Sequence, residues 1–344
     1  MDSLTHIALG ACIGEWMLDR RLGRKAMLWG ALAQSVPDID FLSAFWMDTA
    51  HNLLAHRGFT HSFLFAVIAA VFLGLVAERW HRPHNISLRR WVLFFGVEIL
   101  IHLLLDACNN YGVGWFLPFS QLRVSFNSIY VADPFFSIGP VVACIMLLLL
   151  RTDHRHRVRW AKLGMLTALL YFGYTVVNKL TVHQSVEQLA KAQGIPMQRH
   201  MTTPVALNNW LWWVVIEDST GYHTGYRSVF DRPGNMQLQY FPRNDQLLAR
   251  VDDHPEVQLL KRFSQGYYTA EQRGDTLVFN DLRFGQIIGW MDPGEEFVFH
   301  YYLDHPEDNA LVVQRGRFAK WDRRALGALV RRIRGVEEEV QGER

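Results

Sequence analysis

Four nearly uncharged stretches in the first half of the chain constrain its fold more than any other feature. Only Glu98 interrupts them, and they cover Ser62–Ala77, Trp91–Leu105, Pro134–Leu150 and Leu163–Asn178. A helix needs roughly 20 apolar residues to cross a bilayer, and each stretch is somewhat shorter than that. Their length therefore fits either tilted membrane spans or the buried helices of a soluble bundle.

The arginines between the stretches favour membrane spans. Four lie in the first gap and four in the last, whereas Arg123 is the only Lys or Arg from Trp91 to Leu150. Basic connections that alternate with a neutral one are typical of helices that cross a membrane back and forth. We therefore expect a mainly α fold, with a multi-helix integral membrane domain over residues 1–180. Leu4–Leu18 and Ala26–Val36 would be partial spans.

The second part of the chain is more polar. The first 180 residues hold 27 charged side chains, and the 164 residues that follow hold 41. Runs of β-branched and aromatic residues separated by turn residues predict strands; they are Trp210–Ile216, Tyr222–Val229, Met236–Phe241, Thr276–Asn280, Glu295–Leu303 and Leu311–Gln314. Asn244–Phe263 and Phe318–Val340 have the pattern of helices. We expect a small soluble α+β domain over residues 181–344 and assign it no chemistry.

Composition excludes several classes of function. The net charge of +2 gives no strongly basic face, so a nucleic acid substrate is not expected. Cys12, Cys108 and Cys144 form no CxxC pair, which argues against disulfides and a cysteine-based zinc site. The acid and the histidine in the first six residues predict a retained N-terminus instead of a secretory signal.

Two histidines precede the first uncharged stretch. They stand on either side of a flexible glycine in the run His56-Arg57-Gly58-Phe59-Thr60-His61-Ser62. This spacing allows a loop and a first helical turn to direct both rings toward one metal ion. The alternative is a pair of polar histidines at a helix boundary.

A polar stripe interrupts the second uncharged stretch. Glu98, His102 and Asp106 are four residues apart and so share one helical face. Ionisable groups at such depth are costly, and they normally face a protein interior, pair with each other or hold an ion. We expect His102 and Asp106 to be metal ligands with Glu98 beside them; a mutually satisfied His–Asp pair is the alternative.

Two further groups are weak when taken alone. Asp38 and Asp40 follow Pro37 at the end of an apolar segment, and their carboxylates are hard oxygen ligands. His6 lies near the N-terminus with Asp2, where helix capping is an equal explanation. If the arginine-rich connections are cytoplasmic, these groups and the two described above fall at the opposite, outer ends of their helices.

A cysteine-free set of histidines and acids suits Zn²⁺, with Mn²⁺ as the alternative, and has room for one to three ions. Such an ion lowers the pKa of a bound water to ~7 and steadies charge on an ester or phosphoryl oxygen. The chain has no Gly-x-Ser-x-Gly elbow and no P-loop. Metal-assisted hydrolysis is therefore the expected chemistry.

The order of the four groups resembles the membrane-bound metal-dependent hydrolases, also described as inner-membrane, LexA-binding hydrolases. The resemblance covers about residues 1–150 and rests on Met1–His6, Pro37–Asp40, His56–Ser62 and the segment from His102 through Asp106 and Asn109 to Tyr111-Gly112. That family is distantly similar to zinc-dependent phospholipase C and the single-strand nucleases. The resemblance implies hydrolysis of phosphodiesters, with His6, Asp40, His61, His102 and Asp106 as zinc ligands.

Together these observations predict a membrane-bound hydrolase that cleaves a phosphoester or lipid ester; a non-catalytic, metal-stabilised membrane scaffold or a protein-interaction module is the alternative. Asp38 and Glu98 are the expected catalytic residues. The expected ligands are His6, Asp40, His56, His61, His102 and Asp106. Supporting or substrate-contacting roles fall to Asp2, Arg57, Thr60, Asn109 and Tyr111. We expect a lipid or lipid-linked substrate and a multi-pass bacterial inner-membrane protein, with the site and the second domain on the non-cytoplasmic side.

Overall fold

The computed structural model describes residues 1–18, 22–82, 85–232, 234, 236–251, 253–304, 318 and 320–336. The chain divides into two compact units. The first unit contains Met1–Met47 and Leu54–Thr175, and the second contains Asp48–Leu53 and Val176–Arg344. The predicted strand Leu311–Gln314 lies outside the described residues.

Helices make up the first unit. They are α1 (Ser3–Met17), α2 (Arg24–Ser35), α4 (Phe63–Trp80), α5 (Leu88–Ala107), α6 (Pro134–Leu149) and the first half of α7 (Arg157–Ala192); α3 (Thr49–Ala55) and α7 have residues in both units. Two 3-10 segments, Pro37–Phe45 and Phe59–His61, connect them. Side chains of Asp2, Ser62, Ser87 and Asp133 accept hydrogen bonds from N–H groups in the first turns of α1, α4, α5 and α6.

Glycines bring the first two helices into backbone contact. A Cβ on Gly30 would lie 1.9 Å from the carbonyl oxygen of Gly10, and a Cβ on Gly14 would lie 2.2 Å from that of Ala26. No larger residue fits at either position. The close approach packs α1 against α2 in the core of the unit. Trp91, Phe94 and Phe95 of α5 are fully buried in the same core.

The expectation of a mainly α, multi-helix integral membrane domain is wrong. Among the described residues, only α4 and α7 are long and apolar enough to cross a bilayer. The 16 residues of α6 span ~24 Å, less than the ~30 Å hydrocarbon core, and α1 and α2 are shorter still, at 15 and 12 residues. The 20 residues of α5 include four charged side chains. The structure is 52% helical and 16% strand, so its class is mixed.

Two antiparallel sheets form the second unit. The first has the order β1 (Arg199–Pro204), β2 (Leu211–Glu217), β3 (Gly221–Ser228) and β4 (Gln239–Pro242). The second has the order β5 (Tyr268–Arg273), β6 (Thr276–Gln286) and β7 (Phe297–Tyr302). The accompanying helices are α8 (Asp245–Leu248), α9 (Pro255–Phe263) and α10 (Arg323–Ile333).

The differences from the predicted elements have local causes. β1 and β5 were not predicted because polar and charged residues such as Arg199, Glu271 and Arg273 mask their pattern. The predicted helix Asn244–Phe263 is divided into α8 and α9, since Pro255 lacks an N–H donor and begins a new helix. The other five predicted strands in the described part of the chain are present with shifted ends.

The buried ion pair between α1 and α7 gives a test of the first unit. Arg157 Nε donates to Glu15 Oε1 at 2.9 Å and Nη2 donates to Oε2 at 2.7 Å, with both side chains at most 7% exposed. We expect Glu15→Ala to destabilise the protein by roughly 3–5 kcal/mol, because it leaves a buried guanidinium without its partner. Thermal unfolding in detergent measures this loss.

Two further variants complete that test. Removing both charges in Glu15→Leu/Arg157→Met should restore most of the stability. Asp153→Ala, which breaks the exposed Arg151–Asp153 pair, should have an effect below ~1 kcal/mol. Equal unfolding temperatures for Glu15→Ala and Asp153→Ala would contradict a structural role for the buried pair.

Candidate metal centre

Three chain segments converge where α4 begins and α5 ends. The 3-10 segment that begins at Pro37 contains Asp38 and Asp40, and the one ending at His61 directly precedes α4. The C-terminal half of α5 contributes His102 and Asp106, which lie one helical turn apart. Polar groups far apart in the sequence therefore meet where the helices begin or end.

Four donor atoms form a compact group. The Nε2 atoms of His61 and His102 lie 3.1 Å apart. Asp38 Oδ1 lies 3.6 Å from the first of these nitrogens and 3.5 Å from the second. Asp106 Oδ2 lies 3.5 Å and 3.8 Å from the same two atoms. All four atoms lie within 4.8 Å of one another, so the group can hold a metal ion.

Hydrogen bonds favour one tautomer of both imidazoles. His102 Nδ1 lies 2.6 Å from the carbonyl oxygen of Gln34, which can only accept. His61 Nδ1 lies 3.1 Å from Asp40 Oδ2. These contacts favour the tautomer with the proton on Nδ1 in both rings, and in those neutral rings each Nε2 points a lone pair into the group. Metal-binding histidines are oriented in this way, with the second nitrogen donating to an oxygen.

The donor group places four acceptor atoms around one small space. In the Nδ1-protonated tautomers, the Nε2 lone pairs of His61 and His102 face each other at 3.1 Å beside two carboxylates. Among the described residues, nothing donates a well-formed hydrogen bond to the buried Asp106 Oδ2, although Arg57 Nε lies 2.9 Å away. A shared cation would satisfy all four atoms at once.

Asp40 lies beside the group and orients its neighbours. Its Oδ1 accepts from His56 Nδ1 at 2.9 Å, and its Oδ2 accepts from the Arg57 N–H at 2.8 Å and the Thr60 hydroxyl at 2.9 Å. Burial would raise the pKa of the Asp40 carboxyl, but hydrogen bonds from His56 and His61 outweigh it and hold that pKa below its usual range. The carboxyl is therefore ionised at neutral pH.

Arg57 occupies a strained backbone conformation. Its φ of 58° lies in the left-handed region, which non-glycine residues adopt at a cost of ~1 kcal/mol or more. Its backbone N–H donates to Asp40, its guanidinium donates to Asn109 Oδ1 at 2.5 Å, and that guanidinium stacks over the Tyr111 ring at 5.0 Å. A Cβ on Gly58 would lie 2.7 Å from a backbone oxygen, so the turn requires glycine there.

A second hydrogen-bonded chain supports His102 from behind. The His6 ring stacks on it with 3.9 Å between centroids, and His6 Nδ1 lies 3.0 Å from Gln34 Oε1. Gln34 Nε2 donates to Glu98 Oε2 at 3.0 Å. His6 Nε2 lies 3.2 Å from Asp106 Oδ1, which the buried amino group of Met1 also contacts. These contacts position Asp106 and the two stacked imidazoles.

The predicted site residues therefore fall into distinct places. Asp38, His61, His102 and Asp106 form the donor group, and Asp40, His56, His6, Arg57, Thr60, Asn109 and Tyr111 surround it. Glu98 lies outside the group and contacts Gln34, so its catalytic role remains a prediction. Asp2 caps α1. The sequence interpretation missed Gln34, although a glutamine inside the apolar segment Ala26–Val36 was a visible signal.

These features define a class of protein: a chain of mixed helix and strand with two candidate membrane spans and a candidate metal centre built from histidines and aspartates. Residues 1–182 match the family described as YdjM inner membrane protein, and the chain belongs to that family. The inner-membrane family predicted from the motifs is confirmed to this extent.

Two curated proteins are similar to parts of the chain. Inner membrane protein YbcI of Escherichia coli K12 is 35% identical over 122 residues, which cover 35% of this chain and 69% of YbcI. The uncharacterized protein YfhP of Bacillus subtilis 168 is 27% identical over 150 residues, covering 42% of this chain and 45% of YfhP. No solved structure matches the chain.

Metal content tests the donor group directly. We expect the protein purified in detergent to contain roughly one or more equivalents of a divalent ion, and His102→Ala to contain far less, because it loses one of four donors. Elemental analysis of both proteins measures the difference. His200→Ala is the matched control, since its ring contacts His183 and does not belong to the donor group, so its loss should leave metal content unchanged.

Two results would refute the donor group as a metal site. A wild-type protein that stays free of metal after incubation with Zn²⁺ and Mn²⁺ would contradict the assignment. So would a His102→Ala variant that retains the same amount of metal as the His200→Ala control.

Proposed function

We propose that this protein is a metal-dependent hydrolase that cleaves a phosphoester or lipid ester in a membrane lipid or lipid-linked substrate. The observation that carries the proposal is the convergence of the Nε2 atoms of His61 and His102 with the Asp38 and Asp106 carboxylates, all within 4.8 Å of one another. A buried arrangement of this kind is costly unless a cation occupies it.

The donor set fits zinc. Ligands held ~2.0–2.2 Å from a tetrahedral zinc ion are ~3.3–3.6 Å apart, and the measured separations involving His61 and His102 run from 3.1 to 3.8 Å. Two imidazoles and two carboxylates also suit Mn²⁺. When bound, such an ion supplies Lewis acidity and lowers the pKa of a coordinated water.

Asp38 marks the open side of the group. Its side chain is 25% exposed, whereas those of His61, His102 and Asp106 are fully buried. A substrate oxygen can therefore reach the group past Asp38. This accessibility supports the predicted catalytic role of that carboxylate in holding or accepting a proton at the point of attack.

His56 is placed to transfer a proton. Its Nδ1 contacts Asp40 Oδ1 at 2.9 Å, its side chain is 39% exposed, and its ring centroid lies 6.3 Å from that of His61. An imidazole oriented by a carboxylate through one nitrogen is suited to general acid–base catalysis at the other. We assign His56 this role, in place of the ligand role that the sequence suggested.

The arginines support a site at the outer face of the inner membrane. Arg79 lies at the end of α4 and Arg90 in the first turn of α5, which are the ends opposite His61 and Asp106. Basic residues concentrate on the cytoplasmic side of membrane helices. The same rule applied to α7, which begins at Arg157, supports a non-cytoplasmic location for residues 181–344.

An apolar groove supports a substrate with a hydrocarbon chain. The α4–α5 groove has a volume of about 470 Å³, and it is lined by Phe63, Val67, Val71, Val92, Gly96 and Leu100 among others. It lies along α4, one of the two helices able to cross a bilayer. Its lining includes Phe63 and Leu100, which are two residues away in the sequence from His61 and His102 of the donor group. A lipid whose hydrocarbon chain lies in the groove would have its polar head group at the level of the donor group.

Activity separates an enzyme from a metal-stabilised scaffold. We expect the protein to hydrolyse bis(4-nitrophenyl) phosphate or phospholipid vesicles, and we expect chelation or His102→Ala to abolish this activity. His56→Gln should keep its metal but lose roughly 10²–10⁴-fold in turnover, the contribution typical of a general acid or base. Steady-state kinetics and elemental analysis on the same samples measure both properties.

His51→Gln is the matched control, because His51 also pairs with an aspartate, Asp48, but is 53% exposed and lies outside the donor group. It should retain full turnover. Stoichiometric metal whose removal unfolds the protein, with no hydrolysis of either substrate, would favour the scaffold.

The groove gives a separate test of substrate class. We expect Gly96→Leu to fill it, since a Cβ there would meet only Ala70 Cβ at 3.9 Å. Hydrolysis of long-chain phospholipid should fall while that of bis(4-nitrophenyl) phosphate is unchanged. Gly173→Leu on α7, where a Cβ meets nothing within 4 Å, should change neither rate. A parallel loss on both substrates in Gly96→Leu would refute chain binding in the groove.

A further inference from the structure

We propose that the second unit contains a binding site for a neutral saccharide. The aromatic cavity, as we call it, has a volume of about 420 Å³, within the ~300–1,000 Å³ typical of ligand sites. Its lining includes Trp213, Tyr226, Gln237, Gln286, Trp290 and Asp292. The proposal is independent of the hydrolase activity, because every lining residue belongs to the second unit.

Three aromatic rings form the apolar part of the wall. Trp213 and Tyr226 are paired across β2 and β3, with 4.9 Å between ring centroids, and Trp290 lies 6.5 Å from Tyr226. Both indole N–H groups donate to backbone carbonyls, Trp213 to Leu282 at 2.7 Å and Trp290 to Ala325 at 3.1 Å. These bonds fix the rings. Trp213 is only 1% exposed and supports the wall from behind, while Tyr226 and Trp290 are partly exposed and offer apolar surface to a ligand.

A hydroxyl group in this wall lacks an acceptor. Tyr226 Oη is buried, the backbone amide of Gln286 donates toward it, and no acceptor for its own hydrogen lies within hydrogen-bonding distance in the described part of the chain. A Cβ on Gly289 would lie 2.4 Å from this oxygen, so glycine keeps the space beside it open. A buried hydroxyl without an acceptor is costly, and a ligand oxygen would remove that cost.

The charges around the cavity favour a neutral ligand. The Arg332 guanidinium is paired with Asp231, at 2.7 Å and 2.9 Å, and also donates to the Tyr226 carbonyl. It is therefore already neutralised. The remaining polar lining includes the exposed amides of Gln237 and Gln239 and the carboxylate of Asp292, which gives no basis for binding a phosphate.

A saccharide has both kinds of surface that this wall requires. The C–H face of a sugar ring is apolar and packs on aromatic rings, while its hydroxyl groups both donate and accept hydrogen bonds. Amide and carboxylate side chains at the rim match those hydroxyls. A phosphorylated sugar would bring negative charge to Asp292, and a short peptide would lack a rigid apolar ring face.

Ligand-observed NMR on the full-length protein in nanodiscs tests the site. Nanodiscs avoid maltoside detergents, which are themselves glycosides. The probes are cellobiose, maltose and chitobiose, with glucose 6-phosphate and trialanine as comparisons. We expect at least one neutral disaccharide to bind. Tyr226→Phe should weaken that binding roughly three- to tenfold, the effect of one buried hydrogen bond.

Two variants make the result specific. Tyr240→Phe removes a hydroxyl from the same sheet, where it contacts Thr220, and should bind like the wild type. Gly289→Ala should weaken binding by crowding Tyr226 without removing its hydroxyl. The proposal is overturned if no neutral disaccharide binds, if glucose 6-phosphate or trialanine binds more tightly, or if Tyr226→Phe and Tyr240→Phe behave alike.

Discussion

The first unit depends on one electrostatic constraint: the Nε2 atoms of His61 and His102 and the carboxylates of Asp38 and Asp106 meet within 4.8 Å of one another. The Nδ1 contacts with Asp40 and the Gln34 carbonyl favour tautomers in which both Nε2 atoms are acceptors. Acceptors that share a largely buried space without a donor are costly. A divalent cation would remove that cost, and the chemistry proposed for the protein would follow from that ion.

The rest of the first unit is organised around holding these atoms in place. Glycine contacts bring α1 and α2 together, so that Gln34 reaches both His6 and His102. The strained turn at Arg57 directs its backbone N–H to Asp40 and its side chain toward Asp106. Backbone strain and buried polar groups occur together here, as they commonly do where a functional site must be kept rigid.

The membrane association of the family and the limited number of candidate spans are compatible. A short helix such as α1 cannot cross a bilayer alone, but it can lie against longer helices and bury its small residues there. The same helices carry ionisable groups toward the protein interior, where ligands and hydrogen bonds satisfy them. The donor group and the α4–α5 groove both adjoin α4 and α5. This shared position links the proposed chemistry to a lipid substrate.

The sequence by itself determined the helical segments, most of the strands and the polar residues of the site, because hydrophobic periodicity and ionisable groups in apolar stretches are local signals. It did not determine which carboxylate, Asp38 or Asp40, joins the donor group, nor that His56 faces outward or that Gln34 orients two histidines. It also overestimated the number of membrane spans. Those outcomes depend on contacts between residues far apart in the chain, such as Gln34 with His102, and only tertiary packing sets the distances and directions of such contacts.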